Sequence, residues 1–473
     1  MLSESTQLKM NSTRVEKARY FSVWRWHFYA GLYVIPFMLM LCVTGIIMLF
    51  DSDIEQLRYG QMLTVEAAGD PLPVSEQLDA VREAFPDYSV TQFIPSGDAH
   101  LANRFSISSP SGESVFALVN PYSGAVQGTI DRSHSVYQWA NKIHSTLLLG
   151  DSGDYLIEVA ASLGILLLVS GVYLWWPRNS ASRAGFLRLR FASGKRVWLR
   201  DLHANIGGVL SLALLFFLIS GLSWTGFWGK QLVQAWNTFP AYYTWGDKPK
   251  SELTHTSLNH GAEKEMPWNL EQTPLPTSHD HSKMGHSDGF MPAHGVNIDQ
   301  IVNQAKVLGF SHYRVYFPQS ATGVYTVAAN SMAGDVTDPR LDRTSHFDQY
   351  NGQLLVEVTW NDYSPFAKWM AASVSLHQGD LSLLNKIANL FICLAFMVFC
   401  VAAVVMWWLR RPQARGGLGA PPKFEHQGVW KVALLTLVVL CLAFPLGGGT
   451  IVLVLIFDWL MVRHVPRVKR ALS

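Results

Sequence analysis

Six apolar runs interrupt an otherwise mixed chain, at Phe28–Phe50, Tyr155–Trp176, Ile206–Trp228, Ile387–Leu409, Val429–Pro445 and Gly447–Val462. A crossing of ~30 Å of hydrocarbon takes about 20 mainly apolar residues, so each run is read as a transmembrane helix. Only the Pro445-Leu446-Gly447 turn separates the last two, which predicts a tight helical hairpin. Between the first and second runs, and again between the third and fourth, the period changes. Val74–Phe85 and Val296–Leu308 read as short amphipathic helices, and both lead into segments that alternate as strands do. The expected fold is a mainly α-helical polytopic membrane protein with about six transmembrane helices, four of them in a duplicated bundle. Two small α/β domains lie outside the membrane.

Charge placement sets the sidedness. The loop at 177–200 carries Arg178, Arg183, Arg188, Arg190, Lys195, Arg196 and Arg200 with no acid. Residues 1–26 hold five Lys or Arg against two acids, and the tail carries Arg463, Arg467, Lys469 and Arg470. By the positive-inside rule these segments are cytoplasmic, with both termini inside. The first apolar run lacks a small-residue cleavage site, so it is read as an anchor that stays. The predicted order is a cytoplasmic segment 1–27, helix 28–50, outer domain 51–143, helix 144–177, basic loop 178–202 and helix 203–228. An outer domain 229–376, helix 377–410, loop 411–428, hairpin 429–462 and tail 463–473 follow.

The unit is duplicated. His27 has Gly31 four residues on and Gly45 eighteen on, and His203 has Gly207 and Gly221 at the same distances, each second glycine preceded by a hydroxyl residue, Thr44 or Ser220. His144 and His377 precede spans that end in Trp175-Trp176 and Trp407-Trp408, 31 and 30 residues from histidine to first tryptophan. Asn120-Pro121-Tyr122-Ser123-Gly124 parallels Asp348-Gln349-Tyr350-Asn351-Gly352 as a hairpin turn. A stretch at 246–294, rich in His and Met and lacking apolar periodicity, has no counterpart in the first half and is read as a flexible linker. Net charge is only +2, which gives no footprint for nucleic acid. All four cysteines lie in apolar runs, which argues for packing between helices rather than a disulfide framework.

Ionisable groups at helix ends in a membrane mark functional sites. His27 and His203 begin helices at the cytoplasmic face, while His144 and His377 precede helices at the outer face. Two histidines at one depth on neighbouring helices can hold one metal from opposite sides, as in bundle-held haems. Gly31, Gly207, Gly45 and Gly221 would leave room for a flat macrocycle, and Arg25, Arg200, Arg178 and Arg410 lie on the side where inner propionates would need cations. Close helix packing explains the glycines, and membrane anchoring the arginines, equally well. In the linker, His279, His281 and His286 with Met284 form a loose candidate for Cu or Zn.

The RWHFYAGL opening, the IHSTLLLG element, VSGVYLWWPR and the paired outer domains resemble the PepSY-associated transmembrane family over about residues 1–410. The resemblance makes both outer domains PepSY-like. It implies a siderophore-linked reductase with two b-type haems, His27, His144, His203 and His377 being the axial ligands. Electrons would pass outward to a periplasmic ferric siderophore or other metal chelate, releasing Fe(II). No GxGxxG fingerprint occurs in a cytoplasmic segment, so the donor is expected to be a separate reductase or a membrane quinol. Two other readings stay open: a reductase for copper or another metal, and a non-catalytic PepSY sensor or inhibitor module anchored in lipid.

Overall fold

A computed structural model describes residues 4–178, 183–233, 251–259, 265–267, 269–271, 273–278, 295–411, 418–421, 431–462 and 464–465. The helices of the first half are α1 (Glu4–Leu49), α2 (Asp51–Leu63), α3 (Val74–Ala84), α4 (Val136–Thr146), α5 (Asp151–Trp175), α6 (Lys195–Val209) and α7 (Ser211–Leu222). Those of the second are α8 (Ile298–Val307), α9 (Pro365–Gln378), α10 (Leu383–Arg410), α11 (Lys431–Ala443) and α12 (Pro445–Phe457). The chain divides into two compact units. One comprises residues 1–46, 143–235 and 388–473, the other residues 47–142 and 236–387.

The first unit is the helical one. Three helices are long and apolar enough to cross a membrane: the Val15–Leu49 part of α1, α5 and α10. α6 and α7 qualify together as a fourth, bent by 61°. The bend follows a glycine pair, a common cause of sharp kinks. A Cβ on Gly208 would meet the Trp175 ring at 2.3 Å, and one on Gly207 would meet Phe399 at 2.8 Å, so both glycines are sites of close approach. Of the terminal hairpin, α11 has 13 residues and α12 continues into a π-helical stretch, Asp458–Val462; Lys431–Ala443 and Pro445–Leu460 are both apolar helices shorter than a full crossing takes. The described helices therefore give three spans, or four counting the bent pair. Cys42, Ile165, Leu214, Leu218, Leu222, Phe396 and Phe444 form the unit's core. All four cysteines are free thiols, with Cys42 and Cys400 buried.

In the second unit the strands expected for the two outer domains belong to one sheet. β1 (Ser89–Ile94), β2 (Asn103–Ser108), β3 (Ser114–Val119) and β4 (Val126–Asp131) come from the first half; β5 (Arg314–Tyr316), β6 (Val324–Ala329), β7 (Arg343–Asp348) and β8 (Leu354–Thr359) come from the second. They join in one sheet of order β4-β3-β2-β1-β5-β6-β7-β8. The seam is the antiparallel pair β1–β5, where Gln92 faces Tyr316 and Phe93 faces Val315. One core, including Val81, Phe93, Phe105, Ile301, Val315 and Val327, serves both halves beneath α3 and α8. Asp299, in the first turn of α8, accepts hydrogen bonds from the Ser75 backbone N–H (3.2 Å) and hydroxyl (2.5 Å) at the start of α3. The expected repeat survives inside this sheet. Asn120 and Asp348 each accept two backbone N–H bonds within their turns, and Gly124 and Gly352 close those turns at φ of 70° and 72°.

The linker expectation also changes. The described residues between 251 and 278 pack on the face of the sheet away from α3 and α8, where His255, Met266 and Leu270 are completely buried. Met266 packs with Tyr316 and Ala328, and Leu270 with Val358, Tyr363 and Ala367. Apolar periodicity fails here because the strap follows no regular period: single apolar residues insert between polar ones that find their own partners. Glu265 is clasped by Arg132 and by Arg314 (2.6 Å), and Gln92 donates to it at 2.7 Å.

Candidate cofactor site in the helical bundle

α1 carries His27 and α6 carries His203, and the bundle brings the two rings to 6.3 Å between centres, nearly perpendicular to one another. An imidazole on each side of one metal, with bonds of about 2 Å, separates ring centres by roughly 6 Å. The pair therefore fits a bis-imidazole metal centre.

Hydrogen bonds fix which nitrogen each ring presents. Ser170 Oγ donates to the Leu166 carbonyl at 2.7 Å, so towards His27 Nδ1, 2.9 Å away, it is the acceptor. His203 Nδ1 donates to the Phe399 carbonyl at 3.0 Å, and its ring stacks on Phe399 at 4.0 Å. Both protons then sit on Nδ1, and both Nε2 atoms carry the lone pair. Metal-binding histidines are oriented this way by their outer hydrogen bonds.

His144 shows the same arrangement at another level of the bundle. It sits on α4, which is separated from α5 by Leu147 and Leu148 in left-handed backbone. Its Nδ1 lies 2.8 Å from Thr44 Oγ1, and that hydroxyl donates to the Met40 carbonyl, also at 2.8 Å. A Cβ on Gly45 would lie 3.9 Å from the His144 ring, so the glycine places the backbone of α1 against it. His377 lies in α9, before the Gly379 cap that ends the helix, and so precedes α10 as the repeat requires. It belongs to the other compact unit.

The arginines sort by contact. Arg25 donates to Tyr29 at 3.1 Å and to the Pro421 carbonyl. Arg178 lies 5.8 Å from the centre of the Tyr20 ring, and Arg410 lies 5.0 and 4.9 Å from those of Trp24 and Phe28. These three thus cluster on α1 within two turns of His27. Arg200 is paired with Asp201 at 2.9 Å, and Arg190 holds the same carboxylate from the other side. Gly31 has open space beside it, as a flat ligand would need, whereas Phe399 occupies the space beside Gly207.

Sequence reasoning missed Ser170, Phe399 and Thr44 as anchors. Thr44 was visible as half of the Thr44-Gly45 and Ser220-Gly221 match. The Phe399 anchor is a backbone carbonyl and leaves no residue signal. Among the described residues, no three His, Cys, Asp or Glu side chains gather to hold a metal. His279, His281, Met284 and His286 lie outside the described residues.

Long apolar helices in one unit and an antiparallel sheet in the other are those of a membrane protein with a non-spanning portion. The family model described as PepSY-associated TM region matches residues 24–410, and the chain belongs to that family. No curated protein matches the chain.

Proposed function

We propose that the chain is an inner-membrane electron carrier with two b-type haems that reduces a ferric siderophore or related chelate on the periplasmic side. One haem would lie between His27 and His203, the other between His144 and His377. The observation that carries this reading is the shared hydrogen-bond pattern. His27, His203 and His144 each point Nδ1 at an acceptor, the orientation in which outer hydrogen bonds hold a metal-binding histidine. A haem held by two imidazoles has no open position and supplies single-electron transfer.

The residues present do the rest. Ser170 and the Phe399 carbonyl hold the His27 and His203 rings in one tautomer, and Thr44 does so for His144. Arg25, Arg178 and Arg410 supply positive charge beside the first site, where haem propionates need it. The arginine-rich segments support a cytoplasmic position for this site, with both termini inside. The electron donor is then a cytoplasmic reductase or a membrane quinol.

A visible spectrum of the purified full-length chain tests the reading. We expect a Soret band, dithionite-sensitive α/β bands and two haems per chain. His27→Ala and His144→Ala should each remove roughly one. A chain without a Soret band would exclude a haem reductase and leave the anchored sensor or inhibitor reading. Retention of both haems in either variant would overturn the pairing.

A further inference from the structure

α1 and α10 lie side by side and run in opposite directions. Towards one end, Arg410 of α10 sits 5.0 Å from the centre of the Trp24 ring and 4.9 Å from that of Phe28, both on α1. Towards the other, the thiols of Cys42 on α1 and Cys393 on α10 hydrogen-bond to one another. The two points are 14–18 residues apart along α1 and 17 apart along α10, so the helices keep level register between them. That register sets Met38 opposite Met397, each one turn from its cysteine. Both methionines and Cys393 pack on the apolar cluster that buries Cys42.

The two methionines differ in reach. Helical side chains lean towards the N-terminus of their own helix. On α10 this carries Met397 back over the turn of Cys393, towards the thiols. On α1 it carries Met38 away from Cys42, towards Val34. A flexible thioether side chain covers much of the ~6 Å rise of four residues. Two thiols and one thioether therefore gather at one level of the bundle, within an apolar wall that includes Phe396 and Leu218. Packing between helices accounts for a cysteine on either helix, but it does not require the two thiols to meet beneath a thioether.

Sulfur donors of this kind select a soft ion. Metal–sulfur bonds of about 2.3 Å place two sulfurs on one metal roughly 4 Å apart, a separation that hydrogen-bonded thiols already approach. Charge then separates the candidate ions, because net charge inside a span is costly. Cu(I) held by one thiolate, one thiol and one thioether is neutral. Zn(II) would need both thiols ionised, and a thioether suits it poorly.

We propose that Cys42, Cys393 and Met397 form a Cu(I) site inside the helical unit. On binding, the metal ion replaces one thiol proton, which leaves to water. Copper stays Cu(I) throughout and no electron moves. The site shares no residue with the histidine pairs and does not rest on the haem reading.

The test uses purified full-length protein, equilibrated without oxygen with the Cu(I) complex of bicinchoninate and then separated from the chelator. Copper per chain is measured by atomic absorption, which bound haem does not affect. Wild type should retain one copper more than Cys42→Ser or Cys393→Ser. Copper held by His279, His281, Met284 and His286 is common to all these chains and cancels. Equal copper in wild type and both serine variants would overturn the site. Leucine conserves the volume of methionine, so two further variants test the third ligand in a chain that keeps its fold. Outer partners of metal ligands are worth about 10–100-fold in affinity, and a ligand should be worth no less. Met397→Leu should therefore yield its copper at about one tenth, or less, of the free chelator that wild type withstands. Met38→Leu, opposite it in the same cluster, should behave as wild type. Unchanged affinity in Met397→Leu, or equal losses in the two methionine variants, would overturn the three-sulfur site.

Discussion

Ser170 Oγ accepts from the His27 ring at 2.9 Å, beside a backbone bond to Leu167, so its loss tests how far the hydroxyl orients the ring. Outer-shell partners of metal-binding histidines are typically worth about 10–100-fold in affinity. Ser170→Ala should therefore weaken retention of the first haem by that order and leave the second intact, measured as haem per chain during dilution or competition with an apo-haem acceptor. Thr44→Val should do the reverse, loosening the haem at His144 while sparing the other. If both variants retained both haems like wild type, the tautomer argument would fail. These roles were only partly legible in the sequence. The histidines announced themselves by matching positions in two repeats, and Thr44 by its match with Ser220. Ser170 has Ala402 at the corresponding place before the second Trp pair, so the repeat pointed away from it. On the second side a backbone carbonyl does the work of a hydroxyl, and no residue type encodes that.

The strap between 251 and 278 is where pattern reading failed as a predictor of order. Composition signalled a linker, yet Glu265 is nearly fully buried between Arg132 and Arg314. Removing one partner of a buried ion cluster leaves the others uncompensated, at a cost of about 3–5 kcal/mol. Glu265→Ala should destabilise the sheet unit by that amount in denaturant melts, far more than an exposed Glu113→Ala control. The strap is also fastened by His255, whose Nδ1 donates to the Thr273 carbonyl and whose Nε2 accepts from His346 Nε2 at 2.9 Å. Thr326 donates to the other nitrogen of His346, which completes a chain of neutral imidazoles. Burial pushes His255 down to about 4 and His346 well below 6.5. The unfolded chain takes up these protons near 6.5, so the pair's contribution is full above that pH and is lost as pH falls towards 4. Burial raises the Asp342 carboxyl to about 7 and raises that of Asp335 too, which gives a slope of opposite sign. The difference between two chains isolates the histidines. Between about pH 6.5 and 5, the His255→Gln/His346→Gln chain should lose up to two protons' worth of slope, about 1.4 kcal/mol per pH unit each. Parallel stability curves for the two chains would rule the pair out as a titrating element.

At the scale of the molecule, the duplication read from the histidines and glycines is real in the backbone, but its halves are not independent. The sequence could show two strand-rich segments. It could not show that they share a sheet, because the β1–β5 seam pairs residues more than two hundred positions apart and neither strand differs in composition from an edge strand. The seam has physical consequences. Phe93 on β1 is 1 % exposed and Val315 on β5 is fully buried, and each completes a core to which both α3 and α8 contribute. A chain ending at Val233 would keep α1 to α7 and β1 to β4, yet expose one side of Phe93, an open β1 edge and the start of α3 without its Asp299 cap. Open apolar edges of this kind pair non-specifically. We therefore expect the 1–233 chain to aggregate or be degraded in membranes. Co-expression with a 234–473 chain should rescue both halves as a complex that co-purifies through a tag on either one. Stable, monodisperse 1–233 protein, with its outer segment protected from protease in the absence of the second half, would mean that each repeat folds alone and that the shared sheet forms only afterwards.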